Sequence, residues 1–324
     1  NVNLDWTMAP KQVSVVWGTQ VEFTYNGQSQ APTATVDSGV ANETIVLAIE
    51  KAINAGKYVA TATIESVTGG NRKTENYTLT NNTKAYTITS KDITSSDISA
   101  VLNQTTFEYD GKAKEPTATV KDGTKALTSG RDYTLTYKNN VNVGTATAVI
   151  TGINNYSGTI ELEFTIAPAS SVITVTPATI AITKGQKATA TVTYNGDGEL
   201  SITTNNSEVV NAVLNGRTIT ITGTNAGTAI ITVSATAGSN HAAPASKTIT
   251  VVVYGAPTKP TITVTNADGN VASGTWSRKD LSITIGGSGS DVGYEYSYDG
   301  ETWTDYTGAI AYTEETATKT IYAR

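Results

Sequence analysis

Three features of the sequence predict an all-β chain of four tandem β-sandwich domains in an elongated rod. Apolar residues alternate with period two, turn dipeptides recur every ~8–12 residues, and one stretch of about 80 residues occurs twice. About 60 of the 324 residues are Thr, a side chain favoured on half-buried pleated surfaces and disfavoured inside helices.

The alternation is clear in Thr117–Val120, Leu135–Tyr137, Ala146–Ile150 and Ile160–Ile166, where every second side chain would face one side of a sheet. Ile180, Ile182, Ala188, Ala190 and Val192 continue it, as do Ile219, Ile221, Ile230 and Val233 with small breaks. One segment, Val46 to Ala55, fits a helical spacing, yet it alternates at least as well. Between these runs lie Asn26-Gly27, Asp110-Gly111, Asn195-Gly196, Asn215-Gly216 and Asp299-Gly300, pairs that supply the positive φ angles of tight hairpin turns.

Repetition comes next. Phe23-Thr24-Tyr25-Asn26-Gly27 followed by Pro32-Thr33-Ala34-Thr35-Val36 returns 84 positions on (107 − 23) as Phe107-Glu108-Tyr109-Asp110-Gly111 and Pro116-Thr117-Ala118-Thr119-Val120. Downstream, Ala55-Gly56 matches Val143-Gly144, and Asn76-Tyr77 matches Asn155-Tyr156. Polar or proline-bearing joints at Ser90-Lys91-Asp92, Ala167-Pro168-Ala169-Ser170-Ser171 and Tyr254-Gly255-Ala256-Pro257 divide the chain into expected domains 1–90, 91–168, 169–254 and 255–324.

Composition excludes several chemistries. There is no Cys, so no disulfide framework, thiolate metal site or Cys nucleophile. The single His, His241, rules out multi-His zinc sites and leaves one residue for any Ser-His-Asp arrangement. Net charge −6 and a pI near 5.0 argue against a nucleic-acid partner, which needs clustered Lys and Arg. No run approaches the ~18 apolar residues of a spanning helix, so membrane insertion of this segment is not expected. The chain is read as a monomer without cofactor or metal, and not as an enzyme.

On the residues quoted above, the first two domains resemble the MBG and YDG-type repeats of bacterial surface proteins, which share an aromatic-x-Tyr-[Asn/Asp]-Gly opening and a late Asn-Tyr. Val16-Trp17-Gly18 and Asn76-Tyr77-Thr78-Leu79-Thr80 fit the MBG pattern as well. Residues 169–254 are similar to bacterial Ig-like group 2 domains through Val175-Thr176-Pro177-Ala178, Lys184-Gly185-Gln186 and Gly223-Thr224-Asn225-Ala226-Gly227-Thr228-Ala229. The last domain is similar to Ig-like repeats of large cell-wall proteins through Tyr294–Trp303 and Thr320–Arg324, and the family continues past the position of Arg324, so a longer protein is expected. The resemblance implies an extracellular location on the surface or wall of a bacterium, of Gram-positive type. It also implies a non-enzymatic role as an adhesin or its stalk, with host or surface glycans or proteins as partners. The alternative is a carbohydrate-binding accessory region of a larger secreted glycoside hydrolase.

Candidate chemistry is sparse. Paired carboxylates could act only if held at fixed separation in a cleft. Glu161 with Glu163 and Glu314 with Glu315 read instead as a solvated strand face and a loop. His241 lies among small residues and reads as a solvated loop residue. Asp268-Gly269-Asn270, Asp291 and Asp197 carry oxygen ligands but lack calcium-loop spacing and read as turns. A Lys–Asn isopeptide bond would need a buried Lys beside a carboxylic acid. The aromatics of the last domain remain, since sugar-binding modules stack pyranose faces on exposed rings. The candidate ligand-binding residues are Trp276, Tyr294, Tyr296, Tyr298 and Trp303, with the three tyrosines sharing one strand face by the period-two rule. The same rings also suit a sandwich core.

Overall fold

The computed structural model describes residues 8–70, 73–256, 258–275, 277, 279–287, 293–313 and 319–324. Strands carry the fold, and among the described residues the helical structure is a single 3-10 turn, Thr74–Asn76. The chain forms two compact units, Asn1–Pro168 and Ala169–Arg324.

The first unit contains two copies of one plan. In the first copy, Lys11–Trp17 pairs antiparallel with Ala34–Val36 and parallel with Tyr77–Thr80. The facing sheet runs Glu22–Thr24, Thr83–Thr89, Gly56–Thr68, Thr44–Ile49, with the first pairing again parallel. In the second copy, Thr106–Glu108, Thr159–Ala167, Gly144–Gly152 and Tyr133–Lys138 form the four-stranded sheet, opposite Ala118–Asp122 flanked by Ile98–Leu102 and Lys125–Ala126. Lys91–Asp92 pairs in parallel with Tyr156–Ser157, as Lys11 does with Tyr77.

The segment of ambiguous period is a strand as far as Ile49, with an isolated bridge at Ala52. Thr44–Ile49 pairs with the long Gly56–Thr68 strand, and the register shifts between Val46 and Leu47. The extra residue of that β-bulge is Glu65 on the partner strand, while burial along Thr44–Ile49 alternates cleanly, so the period-two reading holds there.

Packing follows the pleat. Ala146, Ala148, Phe164 and Ile166 form a core with Phe107 and Tyr137, the Phe107 and Phe164 rings meeting edge to face at 5.6 Å. Val13, Ile45 and Tyr77 form another. The largest cluster of this unit is shared by the copies, since Tyr25, Tyr86 and Ile88 of the first pack with Ile93, Val120, Tyr133, Ile150 and Tyr156 of the second. Ser90-Lys91-Asp92 leads directly into this core at Ile93. Lys91 and Ile93 donate their amides to Asn155 and Ser157 carbonyls at 2.9 and 2.7 Å.

In the second unit, residues 173–254 form two four-stranded sheets, ordered Ile173–Thr176, Lys187–Tyr194, Thr218–Gly223, Val210–Asn215 and Thr179–Thr183, Lys247–Tyr254, Gly227–Ala235, Leu200–Thr204. Between them Ile219, Ile221, Ile231, Val233, Ile249 and Val251 are fully buried. Each such side chain contributes roughly 1.5–3 kcal/mol relative to exposure, so this sandwich carries its own stability. The outward positions of the same strands are largely Thr, for example Thr248 and Thr250 beside Ile249.

The last 64 residues hold the sheets that position the aromatic candidates. One runs Gly269–Asn270, Thr261–Asn266, Leu281–Gly286, Ile310–Tyr312, and the other Thr304–Tyr306, Tyr294–Ser297, Tyr322–Ala323. Among its described residues only Ile283, Ile285 and Ser297 are fully buried, a thinner core than that of residues 173–254.

Candidate functional site: an aromatic cluster at the Asp299 turn

The central strand Tyr294–Ser297 places Tyr294 opposite Tyr306 and Tyr296 opposite Thr304 and Ala323, so these side chains share one sheet face. Tyr294, Tyr296 and Trp303 are half-buried, while Tyr298 is 42% exposed. The strand stops at Ser297, so Tyr298 lies in the turn rather than on the strand face expected for all three tyrosines. Its ring nevertheless stands edge-on to Tyr296 at 5.7 Å. Trp276 lies outside the described residues.

Asp299 explains why the chain leaves the strand there. Its Oδ1 accepts hydrogen bonds from the Thr302 amide at 2.7 Å, the Glu301 amide at 2.8 Å and the Ser297 hydroxyl at 2.7 Å. The Thr302 and Glu301 amides foremost, then Ser297, hold the Asp299 carboxyl well below the usual carboxylate range. Ser297 Oγ in turn accepts the Gly300 amide at 2.8 Å, and Gly300 takes φ of +79°, which suits a residue without Cβ.

Cations cover part of the cluster. The Arg324 guanidinium sits 4.2 Å from the Trp303 ring centroid and donates from Nε to Glu295 Oε2 at 2.6 Å. Lys319 Nζ lies 6.0 Å from the Tyr298 ring centroid, at the outer limit of a cation–π contact. Tyr322, 45% exposed, approaches the same turn. The arrangement offers exposed aromatic surface bordered by charged donors and acceptors, which can stack on one face of a ring and hydrogen-bond its rim. Sequence reasoning named the rings and missed Asp299, Lys319 and Arg324 as their supports, because lone charged residues carry no spacing pattern.

The remaining candidates resolve as structure. Glu161 and Glu163 point outward on their strand, and Glu161 pairs with Lys138 at 2.6 Å. Glu314, Glu315 and Asp291 lie outside the described residues. Asp268 is ion-paired with Lys279. His241 is not a solvated loop residue. It is half-buried, and its Nδ1 lies 3.1 Å from Asp197 Oδ1, 44 positions away. Asp197 also accepts the amides of Asn240 at 2.8 Å and His241 at 3.1 Å. Desolvation alone would raise its pKa, yet these bonds hold it lowered. Asp197 thus ties two loops together. Among the described residues no group of three His, Cys, Asp or Glu is placed to hold a metal ion.

A half-buried Lys beside carboxylic acids does occur, at Lys91, which contacts Asp97 and lies 2.6 Å from Asp122. Burial would lower the Lys91 pKa, but the hydrogen bonds it donates to Asp122 and Asp97 raise it above its ordinary value. A protonated amine is not a nucleophile, so the geometry is that of an ion pair and not of a forming amide.

No family model matches the chain, and no curated protein matches it. Among solved structures, the chain is similar to domains 4 and 5 of the S-layer protein SbsC at 20% identity, covering 49% of this chain and 98% of that one with a TM-score of 0.27. Domains 1–6 of the surface layer protein SbsC match at 15% identity over 94% of this chain and 53% of that one, TM-score 0.29. An E-to-A mutated variant of titin domains I67–I69 matches at 8% identity over 69% and 86%, TM-score 0.27. The chain spans about half the length of the six-domain SbsC structure.

Proposed function

We propose that the chain is a non-enzymatic spacer in a bacterial cell-surface or secreted protein, an adhesin stalk assembled from MBG/YDG-type and Ig-like modules. One observation carries this reading: the first two repeats share a core, with Tyr25 of one packed on Tyr156 of the other and no free linker between Thr89 and Lys91. A spacer holds its ends apart only if its joints resist bending, and a shared apolar core supplies that resistance where a flexible linker would not. Because the chain has no Cys, two introduced cysteines can carry spin labels uniquely. Labels at Lys57 and Thr136 should give one narrow distance distribution. A broad distribution spanning many ångströms would remove the basis for the spacer reading.

The exposed ring of Tyr298, packed edge-on to Tyr296, favours a second, compatible role, adhesion to glycans by the last module. The accessory-region alternative would use the same rings. On a glycan array, folded Tyr298→Ala and Trp303→Ala variants should lose whatever binding the natural chain shows. Binding retained in both would move adhesion away from this cluster, and sequence flanking the segment would separate stalk from hydrolase accessory.

A further inference from the structure

The parallel pairings fall at the same place in three of the modules. In the first repeat the opening segments, Lys11–Trp17 and Glu22–Thr24, run parallel to the closing ones, Tyr77–Thr80 and Thr83–Thr89. In the second, Lys91–Asp92 and Thr106–Glu108 run parallel to Tyr156–Ser157 and Thr159–Ala167. In the 173–254 sandwich, Thr179–Thr183 runs parallel to the closing strand Lys247–Tyr254, with Thr179 opposite Thr250 and Thr183 opposite Tyr254.

One pattern of backbone bonds brackets each pairing. An amide of the closing strand donates to the carbonyl just before the opening strand: Thr87 to Val21, Thr165 to Thr105 and Thr250 to Ala178, each at 2.9 Å. The amide just after the opening strand donates to the end of the closing one: Tyr25 to Thr89 and Tyr109 to Ala167 at 2.9 Å, and Lys184 to Tyr254 at 2.8 Å. In all three modules the bracketed pair forms one edge of a four-stranded sheet.

Tension along the chain enters a module at its opening strand and leaves at its closing strand. Parallel neighbours are then drawn from opposite ends and slide past each other, so every bond of the pair carries load together. Antiparallel neighbours would be drawn from the same end and open one bond at a time. The last domain is built otherwise. Its strands Thr261–Asn266 and Tyr322–Ala323 lie in different sheets, and every pairing among its described residues is antiparallel. Load must cross between those sheets through side chains, and among the described residues only Ile283 and Ile285 are fully buried apolar ones.

We propose that the two repeats and the 173–254 sandwich are load-bearing modules, each held by its parallel opening–closing pair as a shear clamp against tension along the chain. The last domain, with no such pair among its described residues, yields first. This deepens the spacer reading and rests on it for the source of the load. The clamp itself lies within each module, so a bending joint would leave it intact.

Single full-length chains are held in optical tweezers by cysteine handles, which the Cys-free sequence allows to be placed uniquely. Val172→Cys with Gly255→Cys loads the sandwich from its two ends. Gln186→Cys with Gly255→Cys draws the clamp strands from one end and should open the same sandwich at several-fold lower force. Equal forces in the two geometries overturn the proposal. Handles at Gly255→Cys and beyond Arg324 load the last domain, which should unfold at lower force than the sandwich pulled from its ends. A higher force there overturns the proposal as well.

A proline tests one clamp bond. In the turn Thr183-Lys184-Gly185-Gln186 the Gln186 amide donates to Thr183 at 2.9 Å and Gly185 takes φ of +85°, a geometry that suits proline at the second position. Lys184→Pro removes the amide given to Tyr254, and Lys184→Ala controls for the side-chain contact with Asn225 that both variants lose. At constant load the proline variant should unfold about fivefold faster than the alanine one, the effect of one net hydrogen bond. In an unloaded melt the two should match, because proline's entropic gain offsets the lost bond. Equal rates under load overturn the clamp. Should the proline lower the melt or unfold the sandwich, the two pulling geometries decide. None of these outcomes alters the spin-label distance between Lys57 and Thr136, so failure of the clamp and failure of the spacer reading are told apart.

Discussion

Tyr25 and Tyr156 meet edge to face across the boundary between the two repeats, ring centroids 5.5 Å apart and planes at 76°. Both are buried, at 6% and 2% exposure, so the contact belongs to a core and not to a surface touch. Through its hydroxyl Tyr156 also reaches Asp122, which takes Lys91 from the other side. Apolar packing and an ion pair therefore converge on the joint.

Truncating this contact should be felt in both repeats. Tyr25→Ala removes a buried ring and should lower the stability of the first unit by about 3 kcal/mol, as aromatic-to-Ala changes in cores do. Urea unfolding followed by NMR signals of each repeat tests this. A loss confined to the first repeat would show that the core is not shared.

The first unit should unfold in alkali. Burial foremost pushes the phenols of Tyr86, Tyr133, Tyr137 and Tyr156 above their ordinary value of 10.0. Lys91 is raised as well, its carboxylate partners outweighing burial. A group with a raised native pKa stabilises fully below its unfolded value and loses that contribution as pH rises through the native one. Stability should thus hold to about pH 10 and fall above it, with tyrosinate absorbance appearing together with loss of the β circular dichroism. Tyrosinate formation well before unfolding would contradict the burial argument.

At Gly198 an added Cβ would lie 1.9 Å from the Thr236 carbonyl oxygen, a backbone atom that cannot rotate away. Gly198→Ala should cost the 173–254 sandwich roughly 1–3 kcal/mol, the usual scale of overpacking. Gly216→Ala offers a control, since nothing lies within 4 Å, although its φ of +59° adds backbone strain without a clash. Equal melting points for the Gly198 variant and the natural chain would refute the close approach.

The Asp299 turn should be acid-resistant. A carboxyl with a depressed native pKa contributes stability above its unfolded value, ordinarily 3.8, and loses it only as pH falls through the lower native value. Hydrogen exchange at the Thr302 and Glu301 amides should therefore stay slow well below pH 4. Asp299→Ala, lacking the acceptor, should show fast exchange there at every pH. Slow exchange in the variant would mean that the turn is held by something else.

Much of the fold was legible along the chain. Runs such as Ile249, Val251, Val253 with Thr248 and Thr250 between them declare a strand and its buried face, because the pleat alternates side chains whatever the partner strand. Asn26-Gly27 and Asp110-Gly111 declare turns through glycine's access to positive φ. The candidate site was legible only as a list of rings. That Tyr298 leaves the strand depends on three groups converging on Asp299, and that Arg324 covers Trp303 depends on a residue 21 positions later (324 − 303).

Periodicity and turn chemistry are local properties, so the sequence alone determined an all-β chain, its repeat and its strand faces. Which faces meet is a matter of non-local burial, and only the tertiary structure decided it. Lys11–Ser14 lies in parallel beside Tyr77–Thr80, Asp197 closes on His241, and the polar run at Ser90–Asp92 leads into Ile93 of a core that both repeats share. In each case the partner is tens of residues away, and the gain that selects it, desolvated apolar area and satisfied buried polar groups, exists only once both segments are in place.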